Sequence, residues 1–306
     1  MDLLNVALGL VILIFAGDAL VKGAVNLALR LGIPALVVSL TVVAFGTSAP
    51  ELLVSVQAIL EGAPGLALGN VVGSNTANVL LVLGVPALLA TVHSSACETR
   101  RDYLYMLGAT ALFIGLCLTG TLLWWHGLIL LAALAAVLGA TFLGSREEPV
   151  EVEGAEPGLP GWKLAAYLVL GLIGLPLGAR LLVDGATDIA LAFGVSETVI
   201  GLTLVAIGTS LPELATTVMA ALRRHADVAL GNVIGSNLFN LLGIMGVAVL
   251  VGPVPVEESF LAKDLWVMLA ATLMLVPFVF LNRDITRVWG VVLTTLYVGY
   301  IVWAFA

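Results

Sequence analysis

Apolar residues run along this chain in long, nearly charge-free stretches interrupted at Pro, Gly and charged positions. Ten of these stretches are near or above the length that spans a bilayer as a helix, about 20 residues. They lie at 3–27, 34–60, 65–90, 102–120, 122–143, 162–191, 197–222, 227–252, 263–281 and 285–305. The pattern predicts an all-α membrane protein with ten transmembrane helices. One long connection, 144–161 (GSREEPVEVEGAEPGLPG), is acidic and rich in Pro and Gly, and it divides the chain into a first five-helix half, 1–143, and a second, 162–306. It reads as a solvated linker, because its five glutamates have no ordered ligand spacing that would suit a regulatory calcium site. The opening Met1-Asp2-Leu3-Leu4 lacks the basic region of a cleaved signal peptide, so the first stretch is expected to be a retained helix.

Composition removes whole classes of function. With 61% hydrophobic and 10% charged residues and a mean hydropathy of +1.15, the chain is far from a soluble domain, where charged residues make up about 25%. A net charge of −8 argues against nucleic-acid binding, and two cysteines, Cys97 and Cys117, cannot staple a secreted module. With the N-terminus outside, Lys22, Arg30, Arg100, Arg101, Arg146, Lys163, Arg223, Arg224, Arg283 and Arg287 fall at or near cytoplasmic ends, leaving only Lys263 outside and Arg180 within a span. Basic residues favour the inner side, so both termini are expected to be extracytoplasmic and the protein to reside in the cell (inner) membrane.

The chain also repeats itself. An offset of 162 residues carries TVVAFGTSAPE, Thr41 to Glu51, onto TLVAIGTSLPE, Thr203 to Glu213, and carries GNVVGSNTAN, Gly69 to Asn78, onto GNVIGSNLFN, Gly231 to Asn240. From Thr41 to Gly84, 23 of 44 positions are identical. The copies are five spans apart, an odd number, and therefore run in opposite directions. Their loops agree: Glu61-Gly-Ala-Pro in one copy faces Arg223, Arg224 and His225 in the other. Two inverted-topology five-helix repeats are the architecture of secondary transporters, with the substrate site near the midplane.

Within the repeated blocks the chemistry is oxygen. Glu51 and Glu213 lie in apolar helices, where an acidic residue costs about 2.5–3.5 kcal/mol, and no basic residue in the blocks can pair with them. Thr47 and Ser48 precede Glu51 by four and three residues, and Thr209 and Ser210 precede Glu213 likewise, which sets hydroxyls on or beside each glutamate's face. Ser74 and Asn78, and Ser236 and Asn240, add a hydroxyl and an amide four residues apart on the second helix of each copy. With no histidine or thiol among them, the set favours a hard cation such as calcium or sodium over zinc or copper. Pro50 and Pro212 remove the helix bonds to the carbonyls of Gly46 and Gly208, so each copy is expected to hold a broken helix with exposed backbone oxygen. The GxxxG segments Gly69 to Gly73 and Gly231 to Gly235 are assigned to close helix packing.

The paired GTSxPE and GNxxGSNxxN blocks, with ten helices in two halves, resemble the calcium/cation antiporter superfamily, specifically its prokaryotic sodium/calcium exchanger branch. The resemblance implies that Glu51 and Glu213 are the central calcium ligands, with the carbonyls of Thr47 and Thr209. It further implies flanking sodium sites built from these glutamates, Ser48, Ser74, Ser210, Ser236, the hydroxyls of Thr47 and Thr209 and the backbone oxygens of Ala44 and Ala206, with Asn78 and Asn240 lining the centre. The chain departs from the potassium-dependent relatives, several of which carry Asp where Asn240 stands, so potassium dependence is not expected. Two acids in the core balance one Ca²⁺. The expected function is exchange of sodium for calcium, with Ca²⁺ and Na⁺ as transported ions, the bilayer as the surrounding partner, and no resident cofactor, nucleic acid or enzymatic reaction. A calcium/proton antiporter is the nearest rival, since carboxylates also release metal on taking protons, and a passive cation channel is the next. An intramembrane enzyme is disfavoured: His93, His126 and His225 sit near predicted helix ends or outside the repeats, and no P-loop is present.

A last pattern lies in the first and sixth predicted helices. Asp18 and Lys22 are four apart, and the same offset carries them onto Arg180 and Asp184 with the signs reversed. Ion pairs there would lower the cost of burial, with a structural or a gating role.

Overall fold

A computed structural model describes residues 2–144, 159–193, 206–258 and 260–304. The interior of the acidic linker and the start of the seventh predicted span, 194–205, lie outside the described residues. The elements are α1 (Asp2–Leu31), α2 (Ala35–Thr47), α3 (Ala49–Leu60), α4 (Pro64–Leu89), α5 (Arg100–Cys117), α6 (Trp124–Gly144), α7 (Gly161–Ala192), α8 (Leu211–Leu222), α9 (Ala226–Val251), α10 (Phe260–Phe280) and α11 (Arg287–Ala304). Six of these helices are long and apolar enough to cross a membrane, or seven if α2 and α3 form one bent span. The remaining predicted spans fall short for visible reasons. Helix α5 opens on Arg100, Arg101 and Asp102, α8 begins only after the undescribed segment, and α11 is apolar but short.

The two helices that carry the GNxxGSN blocks, α4 and α9, form the centre: 78% of each one's most apolar window is buried. Small residues permit this. A Cβ on Gly231 would come 2.8 Å from the Leu36 carbonyl oxygen, and one on Gly235 would come 2.4 Å from that of Leu40, so α9 lies directly on the α2 backbone. The packing role expected of GxxxG therefore holds for the second copy. For Gly69 and Gly73 the equivalent partner, 198–206, lies largely outside the described residues.

Helices α1 and α7 lie antiparallel, and their contacts recur with roles exchanged. A Cβ on Gly9 would meet Leu182 N at 2.6 Å, and one on Gly171 would meet the Leu20 Cβ at 2.5 Å. The 162-residue offset carries Gly9 onto Gly171 and Leu20 onto Leu182, so a local twofold relates the two helices. Turn geometry follows the repeat as well. Gly62 between α3 and α4 has φ +78°, and Arg224, its counterpart between α8 and α9, is held at φ 63°, a left-handed conformation that costs a non-glycine residue roughly 1 kcal/mol.

Short strands, absent from the sequence expectation, tie the loops. β1 (Thr121–Leu122) pairs antiparallel with β2 (Val254–Pro255), and a single bridge from Val92 to Ile285 joins loops at the opposite end of α5. Three π-helical turns, Ser39–Val43 in α2, Phe239–Ile244 in α9 and Phe260–Asp264 at the start of α10, are likewise absent from the sequence expectation. Such turns release backbone from the regular ladder and are frequent at functional sites; the one in α9 contains Asn240.

Candidate cation site

The broken helix forms at the expected place but with different geometry. The sequence suggested a proline inside a helix. Instead, α2 ends at Thr47, Ser48 takes φ −83° and ψ 7°, and α3 restarts at Ala49 with Pro50 in its first turn, bent 43° from α2. The second copy repeats this: one turn at Ala206–Gly208, Ser210 at φ −87° and ψ 3°, and Pro212 in the first turn of α8. Proline costs little in a first turn, where its missing N–H has no partner in any case. The break therefore sets Glu51 and Glu213 at helix N-termini, where partial positive charge favours a carboxylate.

Both glutamates are 1% exposed, and the two carboxylates act on each other electrostatically. Ser48 Oγ donates to Glu213 Oε1 at 3.1 Å, joining the two halves. The side chains of Thr47 and Ser236 also act on Glu213, and Thr209 acts on Glu51. Each copy's threonine thus reaches the other copy's glutamate. No group of three or more His, Cys, Asp and Glu is present among the described residues, so any cation here must be held largely by neutral oxygen.

Two asparagines outside the sequence expectation, Asn70 and Asn232, fix this arrangement. Asn70 Nδ2 donates to the Glu51 carbonyl at 3.1 Å and to Ser55 Oγ at 2.9 Å. Asn232 Nδ2 does the same for the Glu213 carbonyl at 3.3 Å and for Thr217 Oγ1 at 3.0 Å. The signal was available, since both asparagines sit in the repeated GN pair, and Ser55 and Thr217 each follow a glutamate by four. Asn232 Oδ1 also accepts from Thr47 Oγ1 at 3.3 Å. The Ala44 carbonyl accepts the Ser48 N–H at 3.0 Å and lies 3.3 Å from Thr47 Oγ1, so it already has donors.

Ser74, Asn78, Ser210, Ser236 and Asn240 are all buried. Asn78 Nδ2 donates to Asn237 Oδ1 at 3.0 Å. Buried polar atoms of the repeated blocks left without a hydrogen-bond partner are Glu51 Oε2, Glu213 Oε2, Asn75 Oδ1, Asn78 Oδ1, Asn240 Oδ1 and Ser210 Oγ, together with one nitrogen, Asn240 Nδ2. An unsatisfied buried polar atom costs about 1–3 kcal/mol and more when charged. Oxygen dominates this set, which suits a hard cation that accepts oxygen donors. Ala206 opens the short helical turn Ala206–Gly208 that precedes Ser210.

Comparison with known proteins gives the family. The family model for the sodium/calcium exchanger protein matches residues 2–143 and again 163–306. The chain belongs to the sodium/calcium exchanger family. It is 36% identical to the sodium/calcium exchanger MaX1 of Methanosarcina acetivorans, with 98% of this chain and 97% of that protein aligned. It is 37% identical to the inner membrane protein YrbG of Escherichia coli, with 87% and 84% covered. A structure of the sodium-calcium exchanger NCX_Mj soaked with 10 mM Na⁺ and 10 mM Sr²⁺ superposes with a TM-score of 0.86 at 34% identity, covering 98% of this chain and 97% of that one. As an exchanger of this family the chain is a multi-pass integral membrane protein and a cation transporter rather than an enzyme.

The ion pairs of the outer helices are also present. Lys22 Nζ lies 3.1 Å from Asp18 Oδ2, and Arg180 Nε lies 3.6 Å from Asp184 Oδ2. Arg223, at the loop end of α8, closes on Asp18.

Proposed function

We propose that this exchanger moves calcium against sodium by alternating access, binding the ions near the membrane midplane. The observation that carries the reading is the pair of buried, mirror-related carboxylates whose Oε2 atoms have no hydrogen-bond partner and which, among the described residues, form no ion pair with a basic side chain. Such a pair is tolerable when a cation neutralises it and costly to carry empty across the apolar core, so only loaded forms reorient. In this reading Ca²⁺ is held by Glu51 and Glu213 with the carbonyls of Thr47 and Thr209. Sodium takes overlapping positions on the same glutamates, on Ser48, Ser74, Ser210 and Ser236, on the Thr47 and Thr209 hydroxyls and on the carbonyls of Ala44 and Ala206. Asn78 and Asn240 line the centre.

The architecture that goes with this function is ten spans: α1, α2 with α3, α4, α5, α6, α7, the seventh span ending in α8, α9, α10 and α11. They form two inverted halves, 1–143 and 162–306, with the 144–161 linker and the Arg223 side cytoplasmic and both termini outside the inner membrane. The antiparallel, role-exchanging contacts of α1 and α7 support the inversion, and the relatives' names as sodium/calcium exchangers support the ions.

The test is ⁴⁵Ca²⁺ uptake into proteoliposomes with pH clamped. The wild-type chain is expected to accumulate calcium only down an outward sodium gradient, and Glu51→Gln or Glu213→Gln to abolish accumulation. Retained uptake in either variant refutes the site. Accumulation driven by a proton gradient without sodium assigns the protein to calcium/proton exchange, and uptake that never rises above equilibrium assigns it to a channel.

A further inference from the structure

The 162-residue offset relates three charges in one half to three opposite charges in the other. Asp18, Lys22 and Arg223 correspond to Arg180, Asp184 and Glu61. In the first set Asp18 is gripped by both bases: Lys22 at 3.1 Å from the same helix, and Arg223 from the end of α8. Its side chain is only 21% exposed. The second set is apart. Among the described residues Arg180, whose side chain is 81% exposed, pairs with Asp184, and Glu61 accepts from Gln57 Nε2 at 2.7 Å, so no ion pair joins Arg180 to Glu61.

Packing beneath the charges differs in the same sense. Helix α1 lies along α8, where a Cβ on Gly17 would come 3.1 Å from the Ala215 carbonyl oxygen and 3.2 Å from Met219. The equivalent pair, α7 and α3, has no comparable contact, and Leu53, the counterpart of Ala215, is 70% exposed. At the centre, Asn78 donates to Asn237, whereas the mirror pair is unmade: Asn240 Nδ2 and Asn75 Oδ1 are both buried without a partner. Three independent positions therefore show one half's contact formed and its mirror image open.

We propose that Asp18–Arg223 and Arg180–Glu61 are the two alternative ionic latches of the exchanger. The first holds α1 against α8 and shuts the Arg223 side in this conformation. The second draws α7 onto α3 and shuts the Glu61 side in the other conformation, after the first has parted. The reversed polarity follows from the loops: a basic loop needs an acidic partner on α1, and an acidic loop needs a basic partner on α7. Because the latches are equivalent in geometry and opposite in sign, neither conformation gains a large electrostatic advantage. The proposal rests on the alternating-access reading, which the ion-coupling assay tests separately.

The full chain, with Cys97 and Cys117 replaced by Ser, is reconstituted carrying either Asp18→Cys with Arg223→Cys or Glu61→Cys with Arg180→Cys, and treated with a short bifunctional thiol reagent. Each pair is expected to bridge, to stop ⁴⁵Ca²⁺ uptake until the bridge is reversed, and, in a chain carrying both pairs, to prevent bridging of the other. Charge reversal gives a second measure. Glu61→Arg is expected to slow exchange by about tenfold, equivalent to a coupling of about 1.4 kcal/mol, with yield and melting temperature unchanged. Glu61→Arg combined with Arg180→Glu should restore the rate to within about twofold. A Glu61/Arg180 cysteine pair that never bridges in sodium, in calcium or during turnover overturns the latch, as does a bridged pair that still transports at full rate. If wild-type uptake proves independent of sodium while the two bridges remain mutually exclusive, the ion assignment fails and the latch stands.

Discussion

A buried hydroxyl with no partner is a liability unless something else uses it, and Ser210 is in that position. Removing such an oxygen relieves a desolvation cost without breaking a bond, so alanine there should be neutral or stabilising to the empty fold. If this oxygen receives sodium, the same change must weaken binding. Ser210→Ala is therefore expected to leave the melting temperature in ion-free detergent unchanged or raised. It should also shrink the additional stabilisation by saturating sodium, which for a single site at 100-fold over its Kd is about 2.7 kcal/mol. Thermal unfolding with and without sodium reads both, and a normal sodium response in the variant removes that serine from the site. Ser48 differs from its counterpart because it donates to Glu213. Spacing put Ser48 and Ser210 in the same class; only the structure separates them.

At the level of elements, the close approach of α9 to α2 depends on what Gly235 lacks. A methyl there would stand 2.4 Å from a backbone oxygen and 2.6 Å from the Ala44 Cβ, which cannot be relieved by turning a side chain. Gly235→Ala is expected to cost about 1–3 kcal/mol and to reduce folded yield sharply. Gly115→Ala in α5, which meets nothing within 4 Å, should be neutral in the same thermal assay. Wild-type behaviour of Gly235→Ala would mean that α9 does not seat on the α2 backbone. The sequence located the GxxxG pairs and the proline breaks through repetition. It did not reveal that the break places Pro50 and Pro212 in a first turn, since a proline's position within a helix depends on where the preceding helix stops. The π turns and the β1–β2 pair were also hidden, because two-residue strands and single wide turns leave no periodicity.

Across the whole molecule, loops far apart in sequence are joined at the end where Val92 meets Ile285. Asp284 accepts from the Ser95 hydroxyl at 2.6 Å and the Ser95 N–H at 3.1 Å, and lies 2.9 Å from His93 Nδ1. Burial alone would raise its pKa, but bonds from Ser95 and His93 outweigh this and hold it below the ordinary 3.8. A carboxylate with a depressed folded pKa contributes stability above its unfolded pKa and loses it as pH falls through the folded value. Asp284→Asn is therefore expected to lower stability at neutral pH by about 1 kcal/mol, with the difference from wild type vanishing only below about pH 4. Melting curves across that range test it, and a pH-independent deficit would point to lost packing instead. Nearby, burial pushes the Cys97 thiol up to about 12, with Asp227 and Asp284 adding to the effect, which makes it a poor nucleophile at neutral pH.

What the amino-acid order determined by itself was whatever is encoded by composition and by repetition at fixed distance. Apolar run lengths placed the chain in a membrane, and the 162-residue self-match named Glu51, Glu213 and the oxygens around them, because a repeated block constrains both copies at once. The tertiary structure decided what depends on which chain segments meet across the twofold: that Ser48 reaches Glu213, that Asn70 and Asn232 bind the glutamates' own carbonyls, and that Arg223 closes on Asp18 while Glu61 and Arg180 stand apart. Two copies of one repeat can make different contacts, and only the distances between side chains tell them apart.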